Sequence, residues 1–122
     1  MKFLKKILGR NRYGPIADRK NCLLEWQRIF PGQEEEIETF ISIIHEAFLV
    51  PNAFKYYVHP SDSIGFYYNM SRNTDSDNLE YTVFIDRLEE EFNFKYKEGK
   101  ITSDSTFEDA FRQISKPGTG SV

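Results

Sequence analysis

The densest set of side chains able to do chemistry is the run of carboxylates Glu80, Asp86, Glu89, Glu90 and Glu91. Paired carboxylates can act as general acid and base or share a metal, but only when they converge on one point. Consecutive acids such as Glu89, Glu90 and Glu91 fan around a helix and do not converge, so this set reads as a solvated or docking face. The other reactive residues offer little more. His45 and His59 are far apart and lack metal-ligand spacing with Cys or acids. Cys22 is the single cysteine, which excludes an internal disulfide framework and fits a reducing, cytoplasmic setting. A small core residue is the simplest role for it. There is no Gly-rich phosphate loop and no Gly-x-Ser-x-Gly elbow. No enzyme activity, cofactor or metal is expected.

The acids lie on a segment with helical periodicity. Tyr81, Phe84, Ile85, Leu88 and Phe92 recur at i, i+3, i+4, i+7 and i+11, one stripe of a helix, and Arg87 is the lone positive charge on the remaining surface. Two more stripes are as clear. Ile37, Phe40, Ile41, Ile44 and Phe48 predict a helix from about Glu34 to Leu49, with Glu34, Glu35 and Glu36 at its positive end and Pro51 stopping it. Phe107, Ala110, Phe111 and Ile114 predict a last helix opened by Ser105 as N-cap with Glu108 three residues on. Leu23, Trp26 and Phe30 suggest an earlier helix from about Ala17 to Phe30, ended by Pro31-Gly32.

Asp77-Asn78-Leu79-Glu80 followed by Leu88-Glu89-Glu90-Glu91-Phe92 resembles the second helix of an acyl carrier protein, which opens on Asp-Ser-Leu and closes on a similar acidic run. The resemblance covers about residues 34–115 and is strongest over 77–92. It implies a small helical bundle, a long loop between the first two helices pinned by apolar residues such as Val58 and Ile64, and an acidic face that docks basic partners. Asn78 stands where the family keeps the serine that carries phosphopantetheine. A carboxamide has no hydroxyl to phosphorylate, so the family's fold is implied without its chemistry. Ser76, and Ser63 within Asp62-Ser63-Ile64, are the alternative attachment points for an active carrier.

A chain of 122 residues supports one modest core, and an aromatic fraction of 16% argues for a folded one. The expected organisation is a basic N-terminal helical extension over 1–33, a carrier-like helical domain over 34–116 and a loose tail over 117–122. The fold class is mostly α. The alternative is α+β, with a small sheet from the aromatic stretches 54–58, 65–68 and 94–101. The polar stretch from Met70 to Asp77 is expected to be exposed, and Tyr67 and Tyr68 to offer aromatic contact area in a loop.

Net charge is −3, but residues 1–33 carry eight Lys/Arg against two acids and the remainder eight against seventeen. Met1 to Arg12 has no apolar run longer than two residues, so neither a secretory signal nor a spanning helix is expected. On a helix Phe3, Leu4, Ile7 and Leu8 would share a face, which allows a membrane-surface contact beside the simpler docking onto the domain. The expected function is a non-catalytic protein-interaction module that meets a basic protein partner, not nucleic acid, through the acidic helix. A toxin-neutralising bacterial immunity protein is a second reading of the same small, acidic, single-domain composition.

Overall fold

A computed structural model describes residues 12–71, 79–97 and 99–115. Among them the chain forms α1 (Gly14–Ala17), α2 (Leu23–Ile29), α3 (Glu34–Ala47), a 3₁₀ segment (Asn52–Tyr57), α4 (Ile64–Ser71), α5 (Leu79–Phe92) and α6 (Phe107–Ile114). The architecture is mostly helical. The alternative with a small sheet is overturned: 54–57 lie in the 3₁₀ segment and 65–68 within α4, and the described residues contain only one isolated antiparallel bridge, Ser63 to Thr106. Residues 94–97, the start of the third stretch expected in that sheet, have neither helix nor strand. Among the described residues no helix is long and apolar enough to cross a membrane.

The three clear stripes become the three helices around which the core is built. On α3, Ile37, Phe40, Ile41 and Ile44 are buried, as is Phe48 just beyond it. On α6, Phe107, Ala110, Phe111 and Ile114 are buried. On α5, Phe84, Ile85 and Leu88 are buried, while Tyr81 and Phe92 are half-buried. Helices α3 and α5 make the most extensive helix–helix contact and run antiparallel, with Phe48 against Phe84 at a centroid distance of 5.3 Å. Phe107 packs edge-on to Phe84 at 5.9 Å and to Tyr67 at 5.3 Å, which brings α6 and α4 onto that pair.

Residues 12–33 are not an appendage. Trp26 is fully buried, its ring 5.6 Å from Phe40 and 5.9 Å from Phe111, and its Nε1–H donates to the Val58 carbonyl at 2.9 Å. Phe30 meets Phe111 at 4.6 Å. Tyr13 and Ile16 belong to the same core. A boundary at residue 33 therefore cuts through the core rather than between two bodies. The helix expected over 17–30 is also shorter, α2 beginning only at Leu23 and α1 ending at Ala17. Asn21 Oδ1 accepts the Leu23 N–H at 2.7 Å, an Asx turn that competes with helical bonding and restarts the chain.

The long helices end alike. After α3, Leu49 takes φ 53° and Val50 N–H returns to the His45 carbonyl at 3.0 Å; after α5, Asn93 takes φ 54° and Phe94 N–H reaches the Glu89 carbonyl at 3.4 Å. Both are left-handed terminations in which the residue after the left-handed one bonds back across the last turn. The α6 cap falls one residue later than expected. Thr106, not Ser105, accepts the Asp109 N–H at 3.1 Å, and Ser105 Oγ instead accepts from the Thr102 N–H at 2.9 Å.

Candidate functional site

Helix α5 positions the acids, and the structure divides them. Asp86, Glu90 and Glu91 are exposed. Glu89 is half-buried, and its Oε2 accepts the Tyr96 N–H at 2.8 Å, so it anchors the following segment. Glu80 is buried, which corrects its placement on the acidic face. The reason is geometric: Glu80, Phe84 and Leu88 succeed one another at intervals of four, so Glu80 extends the inward stripe by one turn. Its carboxylate contributes to raising the Tyr13 hydroxyl pKa, behind the larger effect of burial.

Arg87 sets how much charge the face can offer. Its Nη1 pairs with Glu46 of α3, and its Nη2 lies 3.9 Å from Glu91. The hydrogen bond from Arg87 holds the Glu46 carboxyl below the usual carboxylate range. Because α3 and α5 are antiparallel, the first turn of α3 lies beside the last turn of α5. Glu35 and Glu36 join Glu91 around a cleft of about 400 Å³ whose apolar surface comes from Phe92 and Ile114. Sequence reasoning assigned Glu35 and Glu36 to the helix dipole alone. Their part in the acidic surface follows from an antiparallel pairing that periodicity does not specify. The exposed acids of α5 are therefore Asp86, Glu90 and Glu91, with Glu35 and Glu36 meeting them at Glu91, while Glu80 is buried and Glu89 is tied to Tyr96.

The three attachment positions fare unequally. Asn78 and Ser76 lie outside the described residues, as do Phe3, Leu4, Ile7 and Leu8. Ser63 is half-buried immediately before α4, and its Oγ accepts the Phe66 N–H at 3.1 Å in the manner of an N-cap. Asp62 beside it is buried and held by both guanidinium nitrogens of Arg19, at 2.7 and 3.0 Å, and by the His59 N–H at 2.8 Å. Both residues of this Asp-Ser pair are thus engaged in shaping the entry to α4.

Other reactive groups take local roles. His59 Nδ1 meets Ser61 Oγ at 2.8 Å and accepts the Ser61 N–H at 3.1 Å, a turn closed on itself rather than a base aimed at a nucleophile. The Cys22 thiol is buried, and that burial raises its pKa, which disfavours the reactive thiolate. Among the described residues no three His, Cys, Asp or Glu come together as a metal site. The loop aromatics also differ from expectation. Tyr67 is fully buried, and Met70 and Ser71, read as exposed, are buried at the end of α4. Tyr68 lines a cleft of about 520 Å³ with Tyr81 and Tyr96, whose hydroxyls both donate to the Ile101 carbonyl, at 2.6 and 3.2 Å. Compared with protein-family models, curated proteins and solved structures, the chain matches none.

Proposed function

We propose that this protein is a non-catalytic interaction module with a degenerate carrier-like helical domain, and that it docks a basic protein partner through α5. The observation that carries the reading is the set of exposed acids Asp86, Glu90 and Glu91 on α5, the last of which lines a cleft with Glu35 and Glu36 of α3. A helix pair whose exposed carboxylates outnumber Arg87, the cation among them, beside a small apolar patch suits electrostatic steering followed by a short-range contact. Such a surface speeds encounter more than it deepens affinity and is weakened by salt, because exposed charges are screened within about 10 Å at 0.1 M. The resemblance to acyl carrier proteins supports the same face, and the amide at Asn78 argues that the face acts without a prosthetic arm.

Two measurements test this. Affinity capture from the native host with the wild-type chain and with Asp86→Lys/Glu90→Lys/Glu91→Lys is expected to recover a basic partner only with the former, and less of it as salt rises. Equal recovery by both would remove α5 as the docking face. Incubation with a phosphopantetheinyl transferase and coenzyme A is expected to leave the mass unchanged. An increase by one prosthetic arm, mapped to Ser63 or Ser76, would replace the proposal with an active carrier.

A further inference from the structure

Beyond α5 the chain builds a feature of the opposite sign. Asn93 turns it out of the helix, and the half-buried Phe94 and Tyr96 alternate with the exposed Lys95 and Lys97. The segment is pinned rather than loose. Tyr96 N–H is held by Glu89 at 2.8 Å, Lys100 N–H closes a turn onto the Lys97 carbonyl at 3.1 Å, and Gln113 Nε2–H of α6 holds the Lys100 carbonyl at 2.8 Å. Gly99 supplies the φ of 87° that this turn requires. The result is a cleft of about 490 Å³ lined by Phe94, Lys95, Lys97, Lys100 and Gln113. Among the described residues none of these three lysines makes an ion pair. Glu98 lies outside the described residues, and it is the single acid against three lysines in this stretch.

Three lysines line this cleft, so its potential favours an anion. The cleft borders the acidic one: Phe92 and Asn93 line the first and Phe94 the second, while Ile114 and Ser115 line the first and Gln113 the second. Two clefts of opposite sign therefore lie side by side across the end of α5 and the last turn of α6. We propose that the lysine cleft receives carboxylate side chains of the same protein partner whose basic groups meet the acidic surface, so that the partner is recognised as a dipolar strip in one orientation. This rests on the docking role proposed for α5. A polypeptide acid fits better than a free phosphate because a chain can carry both signs and reach both clefts, whereas a phosphate meets the lysines alone and is repelled by the acids beside them. Paired poles would also reject a surface offered in reverse, since each pole would then face its own sign.

The test uses the full ¹⁵N-labelled chain at low salt with defined peptides. Octaglutamate is expected to shift the amides of residues 94–100 and 113, and octalysine those of 86–91 and 35–36. A tetralysine–diglycine–tetraglutamate peptide is expected to bind at least about tenfold tighter than either homopolymer, because the second contact becomes intramolecular. Lys95→Gln/Lys97→Gln/Lys100→Gln should abolish the octaglutamate response and leave that to octalysine intact. An absent octaglutamate response, or one scattered away from 94–100, overturns the lysine cleft while leaving the acidic face standing. Shifts at these amides with sodium pyrophosphate but not octaglutamate would make it a phosphate site and also overturn the proposal. A mixed peptide no tighter than the homopolymers overturns the shared partner. Failure of octalysine alone overturns the docking role of α5 and leaves the lysine cleft as a separate acid-binding site.

Discussion

Tyr13 and Tyr67 place their rings 6.3 Å apart in the same core, yet only one hydroxyl is used. Tyr13 donates to the Phe48 carbonyl at the end of α3, whereas Tyr67 Oη is buried with no hydrogen-bond partner among the described residues. Removing a hydroxyl that bonds costs stability, and removing one that does not releases a desolvation penalty. Tyr13→Phe is therefore expected to destabilise the fold by about 1 kcal/mol, and Tyr67→Phe to stabilise it by about 1 kcal/mol, in urea unfolding. The same burial sets an alkaline limit. It pushes Tyr13 from its ordinary 10.0 to about 12 and raises Tyr67 as well, since both phenolates are disfavoured in the core. A native-state pKa above the unfolded value means that the folded chain holds its proton longer. This stability is complete below pH 10 and is lost as pH rises through the folded pKa, at no more than about 1.4 kcal/mol per pH unit for each tyrosine. Unfolding midpoints measured from pH 9 to 11.5 should fall above pH 10, and either Phe variant should flatten the fall. A flat wild-type profile would show that neither ring is buried as described.

Helix entries and exits are where sequence and structure part. The stripes on α3, α5 and α6 were legible because each is an apolar face repeated through several turns. Helix α4 was not, although Ile64, Tyr67, Met70 and Ser71 are buried at helical spacing. Its exposed face is aromatic too, so the periodic contrast is faint, and its start depends on distant backbone. Ile64 and Gly65 N–H groups donate to the Ser105 and Ser103 carbonyls at 2.9 and 2.8 Å, while Phe107 and Glu108 N–H groups donate to the Asp62 and Pro60 carbonyls at 3.0 and 2.8 Å. The first turns of α4 and α6 thus satisfy each other's unpaired donors, a solution no local pattern announces. It also explains why the Ser105 capping box is displaced to Thr106. The close approach leaves no room at Gly65, where a Cβ would come within 2.9 Å of the Ser103 carbonyl oxygen. Gly65→Ala is expected to cost about 2 kcal/mol by forcing these entries apart, with accelerated amide exchange at both. Exchange unchanged at 107 and 108 would count against the coupling. At the exit of α3 the opposite holds. Leu49 is 62% exposed with φ 53°, so Leu49→Gly relieves strain of about 1 kcal/mol at no loss of packing and should raise Tm.

For the whole molecule, the question is whether residues before Glu34 are an attachment or part of the fold. The charge contrast between 1–33 and the rest made a boundary there look natural, and charge is a property of surfaces that says nothing about what lies beneath. Tyr13, Ile16, Trp26 and Phe30 are each at most 5% exposed. At about 1.5–3 kcal/mol for each large apolar side chain buried, these four contribute on the order of 8 kcal/mol, comparable with the 5–15 kcal/mol that holds a typical domain together. Hydrogen bonds reinforce the count, for the Cys22 backbone N–H donates to the Tyr56 carbonyl at 2.8 Å and the Arg19 side-chain Nη1–H to the Tyr57 carbonyl at 2.9 Å, fastening the 3₁₀ segment from outside. A chain beginning at Glu34 is therefore expected to lose cooperative urea unfolding and near-ultraviolet dichroism, and to expose the surface of Phe40 and Phe111 that Trp26 covers. In the full chain, the fluorescence of Trp26, the sole tryptophan, should track the same single transition as helix content. Were the shortened chain to unfold cooperatively, residues 34–116 would stand as an independent carrier-like domain and the N-terminal helices as a detachable cover. Loss of cooperativity would mean that the core of residues 34–116 is completed by Trp26, and that the acidic face of α5 is held in shape from a part of the chain with the opposite charge.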